Sequence, residues 1–305
     1  SRDRKISGPF LFILKERWSI MKAKATEIAN AGNIQEALEA AHLNFVPEKH
    51  QLMTMSGNEI PDHCGILRND TKQVLGVMGK DYSPFSPVQG LAIADTLREK
   101  FNLKYSKLIG VDGGRRIMVE LKGGFRQIGK DQIQEQLHIL DSWDGSTKFL
   151  IRYGFYRLVC KNGLTIGKIE NQISIRHTKN AEARLGEALR IWAKAEIVFP
   201  ALAAKMEALT QKILDTAMVD KFLNDLSGME EKESTRKKNQ KQDIVHLFQY
   251  GKGNEGKTAW DLYNAATEYY DHEQNRSDPE KQLASALFGT GADQKSKAFE
   301  LASAL

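Results

Sequence analysis

A change of pattern near residue 179 constrains the fold more than any other feature of the sequence. Between Gln51 and Thr178, short apolar runs are broken by Gly, Asn and Asp, as in strands joined by turns. Beyond that point apolar residues recur every three or four positions, as in helices. Strands first and helices later imply an α+β protein, with a mainly antiparallel sheet in the N-terminal half followed by a helical C-terminal half. The expected division is an N-terminal helical arm over 1–50, a sheet core with one helix over 51–178, and a helical region over 179–305. The last contains GMEEKESTRKKNQKQ, from Gly228 to Gln242, which has almost no apolar content and is expected to be a flexible loop.

Local signals mark the elements. Residues 1 to 31 form a basic, partly helical arm in this reading, with Phe12, Leu14, Trp18 and Ile20 set among Lys15, Arg17, Lys22 and Lys24. Asn33 is placed to cap a short helix running to Ala41. Cys64–Arg68 and Gln73–Met78 flank the turn Asn69–Lys72, and Pro87 enters a helix with Leu91, Ala94, Leu97 and Phe101 at helical spacing. A second hairpin turns at Asp112-Gly113-Gly114, where glycine supplies a positive φ. Strands follow over 132–140, 148–160 and 172–177, with a turn at Asn162-Gly163. Asn180 opens a helix that Pro200 is expected to end, and a second helix carries Leu202, Met206, Leu209, Ile213 and Met218. The closing helices span 259–272, where Thr258 and Asp261 fit a capping box, then 279–288 and 293–304.

Composition excludes several classes. No apolar run approaches the roughly 18 residues of a membrane span, and the stretch Pro9–Leu14 is too short for a leader and lacks a cleavage site, so a cytoplasmic location is expected. The two cysteines, Cys64 and Cys160, offer neither a disulfide framework nor a zinc ribbon. His63 and Cys64 are adjacent on a strand and point to opposite faces, so they do not make a metal site. The net charge of +5 permits contact with phosphates without requiring it.

Three constellations could carry chemistry. Gly251-Lys-Gly-Asn-Glu-Gly256-Lys257-Thr258 fits the phosphate-loop pattern, but that loop belongs on a parallel strand with a metal-binding acid on a later one, and only helical pattern follows here. Asp141 and Asp144, with Glu120 nearby, could hold magnesium, and His177 could carry a proton; turn formation explains the two aspartates equally well. The third is the strand within Lys148–Thr178. Alternation puts Arg152, Gly154 and Tyr156 on one face, and the glycine leaves room there for something flat. Single-stranded nucleic acid binds in this manner, its bases stacked on aromatic rings and its phosphates tracked by cations. Lys161, Lys168, Arg176 and Lys179 would extend the track and Arg115 and Arg116 would widen it. The plain alternative is a half-buried strand with solvated arginine tips.

A resemblance rests on motifs in serial order: Ile66–Asp70, Leu75–Gly79, Tyr82-Ser-Pro84, Asp144-Gly-Ser146, Arg157–Asn162, Ser174–Thr178, Thr258–Asn264 and Thr267–His272. From about Asn33 to the C-terminus the chain resembles the phage/plasmid-like family of domain of unknown function 932. Phe85-Ser-Pro-Val-Gln89 departs from the usual sequence after the Tyr-x-Pro turn. The resemblance implies a setting in phages and plasmids, where replication, recombination and defence are common tasks, and it carries no residue roles. The order of helix, hairpin and further strands is also similar in architecture to single-strand annealing proteins, which form rings on DNA. The leading expectation is therefore a non-enzymatic protein that binds single-stranded DNA and promotes annealing as a homo-oligomer, a ring among its forms, with no cofactor, metal or membrane partner. The alternatives are a metal-dependent nuclease or other phosphoryl-transfer enzyme centred on Asp141, Asp144 and His177, and a protein that acts on a host factor.

Overall fold

A computed structural model describes residues 23–147, 149–159, 161–165, 172–175, 195–228, 234–275 and 277–305. The alternating apolar runs form a 7-stranded antiparallel sheet. Its strands are β1 (Ala23–Glu27), β5 (Lys104–Val111), β6 (Arg116–Ile128), β7 (Asp131–Ser142), β8 (Phe149–Arg157), β9 (Asn162–Thr165) and β10 (Gln172–Ile175). The order is β1-β5-β6-β7-β8, and β9 and β10 lie end to end on the outer edge of β8. A 3-stranded antiparallel sheet holds β2 (Pro47–Met53), β3 (Glu59–Arg68) and β4 (Val74–Gly79). The β5–β6 hairpin turns through Asp112, Gly113 and Gly114, all at positive φ, and the Gln73 side chain donates to Asp112 O at 2.8 Å, joining the two sheets. Arg68 reinforces that joint by donating to Gly113 O at 2.7 Å and His42 O at 2.9 Å, with its guanidinium 4.4 Å from the Phe45 ring centre.

Helices are α1 (Ile34–Ala40), α2 (Pro87–Leu91), α3 (Ile93–Lys100), α4 (Ala195–Gln211), α5 (Thr216–Ser227), α6 (Thr235–Tyr250), α7 (Ala259–Glu268), α8 (Pro279–Phe288) and α9 (Thr290–Ala304), with a π-helical turn at Tyr269–Glu273. The α+β class and its order, sheets before helices, are as the sequence pattern implies. Asn33 caps α1 by accepting from Glu36 N at 2.9 Å. Thr258 and Asp261 form the capping box of α7.

Four local expectations are corrected. Residues 23–27 are the edge strand β1 rather than part of a helical arm, because pairing with β5 supplies backbone partners that a short helix with little apolar content would lack. Pro200 lies inside α4 and does not end it: one donor is lost, but Leu202, Met206 and Leu209 keep a buried stripe that holds the helix together. Ile213 belongs to neither flanking helix and is exposed, since Asp215 starts α5 afresh by capping Met218 N. Residues 235–242, expected in a loop, form the first half of α6, for Lys, Arg and Gln are good helix formers and Ser234 caps the end. The expected cap at Asn180 and the stripe Leu185, Leu189 and Trp192 lie outside the described residues.

Strand alternation divides the large sheet into two faces. Leu108, Ile117, Val119, Leu137, Ile139 and Ile151 pack against α1, α2, α3 and the small sheet. Farther along the same face, Ile133 and Phe155 enter the helical core of Met206, Phe222, Trp260, Tyr263 and Phe299. Arg157 also points to this face and is fully buried. Its Nε and Nη2 donate to Asp131 Oδ2 at 2.8 and 2.6 Å, its Nη1 to Lys252 O at 3.1 Å and Asn254 Oδ1 at 3.0 Å, and its Nη2 also to Gly253 O at 2.9 Å. Asp131 Oδ2 accepts a further bond from Trp260 Nε1 at 2.7 Å. Every guanidinium hydrogen is thereby used. On the opposite face Ile109, Met118 and Leu140 meet α8 through Ala284, Leu283 and Leu287.

Removing one partner of a buried, fully bonded charge pair leaves the other charge stranded. Asp131→Ala should therefore lower the unfolding free energy by about 3–5 kcal/mol, as measured by urea denaturation. A loss below about 1 kcal/mol would show that the pair does not hold the sheet to the helices.

Candidate functional site

The second face of the sheet changes character along its strands. Where Met118 and Leu140 meet α8 it is apolar, and two residues farther on it becomes polar with Glu120, Gln136 and His138. These side chains, with Lys107 and Tyr156, floor a cavity of about 470 Å³. Its remaining walls come from Lys161 and Gly163, from Asp271 and His272 of the π-helical turn, and from Gln282 of α8 and Lys295 of α9. The volume is that of a small-molecule or nucleoside pocket, roughly 300–1,000 Å³.

Two buried pairs shape it. Ser106 Oγ donates to Glu120 Oε1 at 2.7 Å, while His138 Nε2 stands 3.2 Å from Gln136 Oε1 and 3.6 Å from Glu120 Oε2. Burial opposes the charge on Glu120, but His138, Ser106 and Lys107 outweigh it and hold the carboxyl below its ordinary range. Burial, with Arg152 and Lys295 adding to it, pushes the imidazole pKa down against the pull of Glu120, so His138 is neutral. The second pair caps the edge of the sheet. Lys295 Nζ lies 2.6 Å from Asp271 Oδ1 and donates to Gly163 O at 3.0 Å, and Asp271 Oδ2 accepts from Gly163 N at 2.8 Å. Both backbone groups of Gly163 that a further strand would use are thus occupied. A single π-helical turn in an otherwise regular helix is a device often found at functional sites, and here it brings Asp271 and His272 to the cavity wall.

The residues singled out from the sequence fall into three groups. Tyr156 and Lys161 share the cavity. Arg152 lies behind it, its Nη2 donating to Leu287 O at 2.8 Å near the end of α8, and burial lowers its pKa to about 10 against the opposing field of Asp293. Arg116 is on the same face but four residues along β6 from Glu120, roughly 13 Å away, and its Nε donates to Asp144 Oδ2 at 3.0 Å. Arg115 donates to Val74 O at 3.2 Å, which ties it to the small sheet. Lys168, Arg176 and Lys179 lie outside the described residues. The room expected above Gly154 is filled from within the chain: a Cβ there would stand 2.7 Å from His138 Cε1, so the flat group against the sheet is the imidazole.

The other two constellations come apart. Register pairs Glu120 with His138 and Ile117 with Asp141, so Glu120 and Asp141 point to opposite faces and cannot share an ion. Asp144 is engaged by Arg116 and by Ser146 N at 2.9 Å, and His177 is outside the described residues. Among the described residues no group of three His, Cys, Asp or Glu side chains is placed to hold a metal. The phosphate-loop match joins two helices, α6 and α7, instead of following a strand. It turns the carbonyls of Lys252 and Gly253 toward the Arg157 cation, where a phosphate cradle would present N–H groups, and Lys257 is exposed beside Glu255 at 3.4 Å.

Sequence reasoning passed over Gln136, His138, Asp271 and Lys295. A signal for the first two existed, since Gln132, Gln134, Gln136 and His138 alternate with Ile133, Leu137 and Ile139 and so mark a polar face. Lys295 had none: it looks like a surface lysine on a helix, yet it is 1% exposed.

Two outcomes follow from this geometry. Gly154→Ala should push the imidazole aside and destabilise the fold by about 1–3 kcal/mol, read by thermal or chemical denaturation. Because folded His138 stays neutral, the unfolded chain binds a proton near the ordinary imidazole value of 6.5 that the folded chain does not. Stability should therefore fall as the pH drops from about 7.5 to 5.5, and less steeply in His138→Phe. Equal slopes for the two proteins would place the proton uptake elsewhere.

The family described as Domain of unknown function (DUF932) matches residues 74–289, from β4 through α8, and so takes in most of the cavity. No curated protein and no solved structure is significantly similar to the chain. Among the described residues no helix is long and apolar enough to cross a membrane. With well over half of its length matched, the chain belongs to the family of Domain of unknown function (DUF932).

Proposed function

We propose that the protein binds single-stranded DNA as a non-enzymatic component of a phage or plasmid-like element, acting in the cytoplasm and promoting annealing as a homo-oligomer. The observation that carries the reading is the meeting of Tyr156 and exposed Lys161 at one cavity on the polar face of the sheet. An unstacked base enters the cavity with Tyr156 as part of its wall, and the phosphates on either side run past Lys161 and Lys107. Arg152 supports the wall by holding the end of α8 and contributes charge from behind. A duplex base is excluded, since it could enter only by leaving its stack.

Fluorescence anisotropy with a labelled oligonucleotide tests the reading. Affinity for a single strand should fall steeply between about 50 and 200 mM salt, with Lys161→Ala reducing the log–log slope by about 0.7 for one lost phosphate contact. Tyr156→Ala should cost about 1–3 kcal/mol of binding. Affinity indifferent to salt, or no complex at low salt, would overturn it.

A further inference from the structure

The cavity has more hydrogen-bond acceptors than free donors. His138 is neutral, and a neutral imidazole carries one donor and one acceptor nitrogen. Its Nε2 faces the oxygens of Gln136 and Glu120 at 3.2 and 3.6 Å, so the proton resides there. Nδ1 is left as a bare lone pair, buried and without a hydrogen-bond partner among the described residues. The ammonium of Lys295 is committed to Asp271 and Gly163 O. An orphaned buried acceptor is unfavourable, and a ligand that brings an N–H group relieves it.

Resting on the single-strand reading above, we infer that the cavity selects a base bearing an exocyclic amino group, cytosine or adenine, over thymine, with His138 Nδ1 accepting from that amine. Cytosine and thymine are of similar size and differ where one presents an amino donor and the other a carbonyl acceptor. Thymine would set its carbonyl oxygen against the imidazole lone pair, two acceptors with no proton between them. Glu120 acts as a positioning residue, since its contact fixes which imidazole nitrogen is bare.

The test compares oligo-dC and oligo-dT of equal length on the full chain at low salt, with dCMP and dTMP as competitors. The dC strand should bind about tenfold more tightly, the scale of one buried hydrogen bond made or left unmade. His138→Phe keeps a flat ring beside Gly154 without the lone pair, and should bring the two strands to within about twofold of each other by weakening dC alone. If that variant fails to fold, the competition by dCMP over dTMP on the unaltered protein decides the matter. Equal, salt-sensitive affinity for the two strands, or tighter binding of dT, overturns base selection and leaves single-strand binding standing. Selectivity that persists in a folded His138→Phe overturns the part given to Nδ1. Failure of both strands to bind overturns this inference together with the reading it rests on.

Discussion

The buried contact between Arg157 and Asp131 is what the rest of the structure depends on. A strand that ends in a fully buried arginine is costly unless each guanidinium hydrogen finds an oxygen, and here Asp131 supplies one side of the cage while Lys252, Gly253 and Asn254 supply the other. The cage joins adjacent strands to the loop between α6 and α7, and Trp260 adds the first turn of α7 through Asp131. Gly253 is required at the tightest point, for its φ is 76° and a Cβ would stand 2.8 Å from Arg157 Nη2. Once α7 is anchored there, the π-helical turn that follows it reaches the sheet edge. That anchor sets where Asp271, and with it Lys295, can close over Gly163.

The cavity is a consequence of this closure and of incomplete cover. α8 lays Leu283 and Leu287 on the apolar part of the second sheet face, while the polar part beyond them stays open between α8, the π-helical turn and the strands. A sheet face that alternates Gln, Gln and His could not be covered by an apolar helix without stranding those groups. The chain instead pairs them with one another, Glu120 with Ser106 and His138 with Gln136, and leaves a space in front of them. The nucleic-acid proposal draws on that arrangement: side chains already satisfied at the floor, an aromatic wall, and cations toward the rim.

Legibility varied with the range of the interaction. The hairpin at Asp112–Gly114, the capping of α1 by Asn33 and the capping box at Thr258 rest on contacts within four residues, and each stands where local chemistry puts it. Errors arose where a distant partner overruled local preference. Residues 23–27 became a strand because β5 offered an edge, and α4 continued through Pro200 because a buried stripe held it. Gly154 was correctly seen as a place for a flat group, but only the register of β7 against β8 shows that the group is His138. Glu120 and Asp141 looked like neighbours in sequence reasoning, and strand parity puts them on opposite faces.

The sequence by itself determined the α+β class, the succession of antiparallel strands and then helices, most element ends and the presence of an aromatic, basic strand at the centre. Periodicity and capping are set by neighbours along the chain, so they survive without knowledge of the fold. Only the tertiary structure decided that the apparent phosphate loop turns its carbonyls to a buried arginine, that Arg152 is spent on α8, and that Tyr156 and Lys161 meet at one cavity. These depend on contacts between residues far apart, 129 positions for Asp131 and Trp260 and 132 for Gly163 and Lys295. Which side chains such contacts bury or leave accessible is a property of packing, and no local pattern encodes it.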